Sequence, residues 1–144
     1  MSDGSLKCLS VQQPWASLII GMDHDLDLPR VKDVENRTWP TSHRGELLIH
    51  ASKTPDRESM RHLFPTSTAP FWVEWPYGMI LGVVELVDVI TDSDSPWALE
   101  GQWHWILENP RRFAQPIPWV GRLGLHAVPI SALAGQYGAE KVAP

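Results

Sequence analysis

The stretch VKDVENRTW at residues 31–39, followed by RGELLIHASK at residues 44–53, constrains this chain more tightly than any other. When residues 34–39 are extended, their side chains alternate between two faces. Glu35, Arg37 and Trp39 then share one face, and neither face is cleanly apolar. A core strand of a small domain turns apolar residues inward, so this row is expected to line a cleft. A half-exposed edge strand with a surface Glu–Arg pair is the alternative.

Apolar runs bounded by turn residues predict the other strands. They cover residues 6–11, 46–50, 79–90, 103–108 and 121–128. The run at 79–90 is the longest and is expected at the centre of the sheet. Its Glu85 is expected at the rim, with a basic partner or a chemical role as alternatives. The Asn109-Pro110 pair predicts a turn.

Two short helices are predicted. Residues 14–20 begin with Pro14, carry apolar side chains at helical spacing and stop at Gly21. A second helix is expected from residue 55, with Thr54 as its N-cap, before Pro65 ends it.

Two loops are predicted from composition. Residues 22–29 are polar and acidic, and they lack the glycine and final glutamate of a calcium loop, so a solvated loop is favoured. Residues 65–78 are rich in Pro and Trp. Trp72 and Trp75 either cap the core, which we favour, or close over a pocket.

The composition fits one domain over residues 1–144, with a core at about residues 6–130 and a frayed tail at residues 134–144. The single cysteine, Cys8, excludes an internal disulfide and is expected as a buried thiol. Neither a signal peptide nor a transmembrane segment is apparent, which predicts a soluble, cytoplasmic protein without a membrane partner. The six histidines are scattered, so neither a metal nor a cofactor is expected.

A net charge of -5 argues against a protein that coats nucleic acid through bulk electrostatics. The charge is unevenly distributed along the chain. Residues 30–61 hold seven of the 12 basic residues and five acidic ones, a balance of +2, whereas the remainder carries -7. This asymmetry allows a local anion-binding patch on an acidic surface.

The order of elements predicts an α+β fold. About six strands and two or three short helices fit one domain whose strands close into a small barrel. Ligands of such barrels bind at the open mouth or in a groove beside it.

The chain resembles the ASCH domains, a family related to the PUA fold and named for homology to an activating signal cointegrator. The resemblance rests on six pieces in order: LSVQQPWA at 9–16, the pattern Lys32-x-x-Glu35-x-Arg37-x-Trp39, RGxLLIHA at 44–51, GVVEL at 82–86, WxLxNP at 105–110 and GRLGL at 121–125, where x is any residue. The family pattern has a glycine two residues before the lysine, where Arg30 stands here. Gly21 is its displaced equivalent, separated by the acidic loop.

The resemblance implies a PUA-like barrel with a cleft beside the first helix, suited to RNA or a nucleotide-like small molecule. Phosphate contacts are expected from the basic side chains, stacking from the indoles and base-edge contacts from the amides. The candidate binding residues are Gln13, Trp15, Lys32, Asn36, Arg37, Trp39, Arg44, His50, Ser52 and Lys53. A core position is the favoured alternative for Trp15 and an equal one for Trp39, and a structural role is favoured for His50.

Hydrolysis of a modified nucleoside or of RNA is a second hypothesis. Some ASCH-like proteins remove the acetyl group of N4-acetylcytidine with a lysine, a threonine and an acid. Lys32 matches that lysine, but Glu35 stands at the threonine position, so the triad is not intact. If the chain is an enzyme, Lys32 and Glu35 are the candidate catalytic pair, with Glu35 as general base and Lys32 or Arg37 stabilising an oxyanion.

A protein-interaction module like a transcription coactivator is a third hypothesis, suggested by the family name. The Trp-rich loop at residues 71–77 would be its natural surface and a protein its partner.

Overall fold

One mixed β-sheet organises the fold, which is α+β and PUA-like. The structure is a computed structural model that describes residues 4–21, 32–63, 75–139 and 141–142. The strands are β1 Ser5–Val11, β2 Val34–Arg37, β3 Gly45–Ala51, β4 Met79–Ile90, β5 Trp103–Pro118, β6 His126–Pro129 and β7 Lys141–Val142. The helices are α1 Trp15–Ile20, α2 Arg57–Leu63 and a 3-10 helix at Ile130–Leu133.

The strand order is β2-β5-β4-β3-β1-β6, with β7 paired to β5. Strands β1 and β3 run parallel, because α1 and β2 lie between them in the chain and provide the crossover. The other pairs are antiparallel.

The sheet curls like a barrel, although the described strand pairs do not join the edge strands β2 and β6. A side chain bridges the opening instead. Arg37, on β2, donates from Nη2 to the carbonyl oxygen of Ser10, on β1, at 2.7 Å. The gap between the first and the last part of the sheet is therefore closed by an arginine and not by a strand ladder.

Alternation along the strands divides the interior into two apolar clusters. On β3, Leu47 and Ile49 belong to the cluster that α1 covers, whereas Leu48 points into a second cluster with Leu133 of the 3-10 helix. Cys8 lies buried in the second cluster, as expected, and burial raises the pKa of its thiol to about 12.

The predicted helices are present with shifted starts. α1 begins at Trp15, one residue later than predicted, and Gly21 ends it with a left-handed φ of 75°, which glycine adopts readily. α2 begins at Arg57 and is capped by Asp56, not by Thr54. The Asp56 carboxylate accepts a hydrogen bond from the backbone N–H of Ser59 at 3.1 Å, which satisfies an orphan donor of the first turn.

The predicted turn at Asn109-Pro110 is wrong. Strand β5 continues through this pair to Pro118, because Asn109 takes a left-handed φ of 50° and absorbs an extra residue opposite β4. One residue of β4, Val84, there faces two of β5, Asn109 and Pro110, which bends the strand without ending it.

The predicted strand at 121–128 is shorter, since β6 spans only His126–Pro129. Gly121 packs instead against β1 and β3. A Cβ at this position would lie 2.5 Å from Ser10 Oγ and 2.7 Å from His50 Cε1.

The acidic loop 22–29 and Trp72 fall outside the described residues, and Trp75 is buried. No helix among the described residues has the length and apolar character to cross a membrane.

Candidate functional site

A cleft of about 690 Å³ opens between the start of α1, strand β2 and the segment before β5. Five of the sequence-predicted binding residues line it, together with the catalytic candidate Glu35. The five are Trp15, Lys32, Asn36, Arg37 and Trp39. The row of side chains on β2 therefore faces a cleft and not open solvent.

The floor of the cleft is an ion network centred on Glu35. Lys32 Nζ lies 3.1 Å from Glu35 Oε1, and Arg37 Nε lies 2.8 Å from Glu35 Oε2. Lys32 also donates to the carbonyl oxygen of Val34. Lys32 is only 4% exposed and Glu35 7%, so each carboxylate oxygen meets a cation in a largely dry setting. The three groups together carry one positive charge.

Tryptophan side chains form the walls. The rings of Trp15 and Trp97 meet edge to face, with centroids 6.3 Å apart and an interplanar angle of 77°. Lys32 Nζ lies 5.7 Å from the centroid of the Trp15 ring, within the range of a cation–π contact. Trp39 packs at 87° on buried Trp105, with centroids 4.9 Å apart. Trp15, Trp39 and Trp97 are all half-buried, and Trp15 and Trp39 also pack against the apolar cluster that α1 covers.

Asp56 connects α2 to the cleft. Its Oδ2 accepts a hydrogen bond from Trp15 Nε1 at 3.1 Å and from Ser59 Oγ at 2.6 Å. Desolvation raises the pKa of Asp56, but the hydrogen bonds from Ser59 and Trp15 outweigh it, so the net shift is downward. A charged carboxylate thus fixes the orientation of the Trp15 indole.

Asn36 holds the wall opposite α1 in place. Its Nδ2 donates to the carbonyl oxygen of Trp97 at 2.9 Å, and its Oδ1 accepts from the backbone N–H of Leu99 at 2.8 Å. Both ends of the amide are therefore engaged with the loop. Asn36 lines the cleft, but its present bonds position Trp97 and are not aimed at a ligand.

Sequence reasoning missed this opposite wall. Trp97, Leu99 and Gln102 line the cleft from a segment about 60 residues after β2. Their sequence, a polar turn followed by a short apolar pair, carries no pattern that predicts a binding surface. Their place depends on the pairing of β2 with β5.

The other predicted binding residues lie away from the lining. Gln13 is buried, donates to Ser17 Oγ and to the carbonyl oxygen of Pro76, and supports the entry to α1. Arg44 is exposed and lies 3.7 Å from Asp88. His50, Ser52 and Lys53 do not contribute to the lining.

His50 does not line the cleft and belongs to a separate cluster with Ser10 and Trp119. Its Nδ1 lies 3.0 Å from Ser10 Oγ, and its Nε2 lies 2.7 Å from the carbonyl oxygen of Trp119. Since a carbonyl only accepts, Nε2 carries the proton and Nδ1 accepts from the Ser10 hydroxyl. Burial lowers the pKa of His50, partly opposed by the bond to Trp119.

A family model and two curated proteins match this chain. The family model described as "ASCH domain" matches residues 9–117, a range that contains every residue lining the cleft. Activating signal cointegrator 1 of Homo sapiens is 32% identical over 134 residues, which cover 79% of this chain and 21% of that protein. The Mus musculus protein of the same name is 30% identical over 128 residues, with the same coverage. The chain spans about a fifth of the length of these curated relatives.

Proposed function

The chain belongs to the ASCH domain family, and we propose that its cleft binds single-stranded RNA by taking in one unstacked base. One observation carries the proposal: three half-buried tryptophans surround a floor whose single carboxylate is held by two cations.

The walls of the cleft favour a flat, largely apolar ligand. Aromatic side chains stack on any base, because every base has a π-face, and each such contact contributes about 1–3 kcal/mol. The volume of about 690 Å³ falls in the usual range for a small-molecule site and admits one nucleoside. A base that enters the cleft replaces water next to Trp15, Trp39 and Trp97.

The floor favours a base with its ribose over a cluster of phosphates. Glu35 neutralises one of its two cationic neighbours, which leaves a single positive charge. Arg37 keeps 23% of its side chain exposed and is the group best placed to meet a phosphate at the entrance. The overall charge of -5 adds no long-range attraction for a polyanion. We therefore expect weakly salt-dependent binding, with a slope of about -0.7 in log K against log salt for each phosphate contacted.

Catalysis by Glu35 finds less support in the geometry. Both of its carboxylate oxygens are held by cations, so action as a general base requires one ion pair to open first. The relatives are named as a signal cointegrator, but this chain covers only 21% of their length, and the proposal concerns the cleft alone.

The test is a binding titration with a fluorescently labelled single-stranded RNA and with unlabelled mononucleotides. Trp97→Ala is the main variant, because Asn36 holds the backbone of this loop and not the indole, so the wall stays in place. We expect a loss of affinity of about tenfold or more. Arg37→Gln should weaken binding and lower the salt slope.

Arg44→Gln is the matched control, since Arg44 is an exposed arginine that does not line the cleft. The proposal fails if RNA and mononucleotides do not bind, or if Trp97→Ala and Arg37→Gln bind as tightly as Arg44→Gln. Incubation with N4-acetylcytidine serves as a parallel assay. If the unmodified protein releases acetate and Lys32→Met does not, the function of the cleft is hydrolysis and not binding alone.

A further inference from the structure

The segment that follows β5, residues 119–124, presents apolar side chains to solvent; we call it the wedge loop. Leu123 is 100% exposed and Val120 73%, the two highest values among the exposed large hydrophobic residues in the described part of the chain. Arg122 lies between them and is also exposed. The wedge loop contains no acidic residue.

The base of the wedge loop is firmly held, so this exposure does not come from a frayed end. The backbone N–H of Trp119 donates to the carbonyl oxygen of Gly78 at 3.0 Å, and the Trp119 carbonyl accepts from His50 Nε2 at 2.7 Å. Trp119 Nε1 also donates to His126 Nε2 at 3.1 Å. Leu123 and Val120 are therefore presented to solvent by a loop whose base is fixed.

The wedge loop lies next to the cleft. Gly121 approaches Ser10 so closely that a Cβ would lie 2.5 Å from the Ser10 hydroxyl oxygen. Ser10 in turn lines the cleft, and its carbonyl oxygen accepts the hydrogen bond from Arg37. On the cleft itself, Leu99 is exposed as well. Ser10 therefore contributes both to the cleft and to the seat of the wedge loop.

We propose that the wedge loop is a second contact for the same RNA strand, with Leu123 packing against the base that neighbours the one in the cleft and Arg122 meeting a phosphate. The inference rests on the proposed function. Apolar side chains such as Leu separate stacked bases by inserting between them, and an adjacent cation supplies the backbone contact.

A protein partner fits this loop less well. Stable protein interfaces bury roughly 1,200–2,000 Å² in total, whereas the exposed apolar surface here is limited to two side chains on one short loop. Two apolar side chains beside one arginine match the repeat of base and phosphate along a single strand.

The experiment compares the affinity for a mononucleotide with that for an RNA of about 12 nucleotides, within the usual site size of a single-strand binder. Leu123→Ser and Arg122→Gln should leave mononucleotide binding unchanged and weaken binding of the longer RNA by about five- to tenfold. Arg122→Gln should also reduce the salt slope for the longer RNA by about 0.7. Val87→Ser and Arg44→Gln are matched controls, because both replace exposed residues outside the cleft and the loop.

The outcomes separate the two proposals. If the mononucleotide does not bind the unmodified protein, the proposed cleft function is wrong, and the effect of the loop variants on the longer RNA still decides whether the loop touches RNA. If the mononucleotide binds and the loop variants bind the longer RNA like the controls, the wedge loop is not an RNA contact and is left for a protein or a second copy. Equal weakening at both lengths would also overturn the inference, since the loop would then act through the cleft.

Discussion

Two ion networks in this molecule contain acids and bases in opposite ratios. In the cleft network one acid, Glu35, lies between two bases, Lys32 and Arg37. In the surface network one base, Arg111, lies between two acids, Glu46 at 3.2 Å and Glu85 at 4.0 Å. The cleft network carries one positive charge next to the candidate RNA site. The surface network carries one negative charge and lies on the other side of β3 and β4.

Burial separates the two networks more than composition does. The side chain of Glu35 is 9% exposed and that of Glu85 is 43%. Charges that remain hydrated lose little when a partner is removed, whereas a charge left alone in a dry site cannot recover its hydration. The same residue types therefore have different energetic roles, and the following substitutions measure that difference.

The largest effect is expected for Glu35→Ala. The change leaves Lys32 buried without its carboxylate and releases Arg37 from one of its partners, so it should lower the free energy of unfolding by roughly 3–5 kcal/mol. Urea denaturation measures this. Glu85→Ala is the control and should stay within about 1 kcal/mol of the unmodified protein. Similar losses for the two variants would show that burial does not distinguish the networks.

Lys32→Met should have the next largest effect. Methionine keeps most of the side-chain volume beside Trp15 but leaves Glu35 Oε1 and the Val34 carbonyl without this donor, which costs roughly 1–3 kcal/mol. The same denaturation experiment on Lys7→Met, an exposed lysine on β1, should show a change within about 0.5 kcal/mol. A stable Lys32→Met protein with intact RNA binding would contradict the assigned role of the network.

A smaller loss is expected for Glu46→Ala in the surface network. Glu46 accepts from Arg111 at 3.2 Å and from the hydroxyl of Tyr137, so its removal loses two half-exposed bonds and should cost roughly 1 kcal/mol. Because this network is solvated, added salt should reduce the difference between Glu46→Ala and the unmodified protein. The difference for Glu35→Ala should hardly change with salt.

The smallest effect is expected from pH, at a third site that contains His50 and His126. Burial lowers the pKa of His50, and burial together with Arg122 and His50 lowers that of His126. In this range the unfolded chain binds protons that the folded chain does not, so stability is kept above the ordinary value of 6.5 and falls as pH drops below it.

Measured between about pH 7.5 and pH 5.5, the decline should be shallower in a His50→Gln, His126→Gln double variant. An unchanged slope would assign the decline to other groups.

The local part of the site was predictable because it depends on neighbours in the chain. Alternation alone put Glu35 and Arg37 on one face of β2, and the apolar runs predicted β1, β3 and β4. The same alternation explains why His50, a predicted binding residue, lies outside the cleft. His50 follows Leu48 by two positions on β3, so it shares the face of the second cluster and does not line the cleft.

The rest was decided by contacts between distant segments. Neither the bond from Arg37 to Ser10 that closes the curled sheet, nor the wall of Trp97 and Leu99 held by Asn36, has a local signature. Sequence determined the α+β class and the chemistry of the cleft floor, since strand periodicity and residue type are local properties. Tertiary structure decided the walls and the neighbouring wedge loop, because strand pairing brings together residues tens of positions apart whose types do not encode their partners.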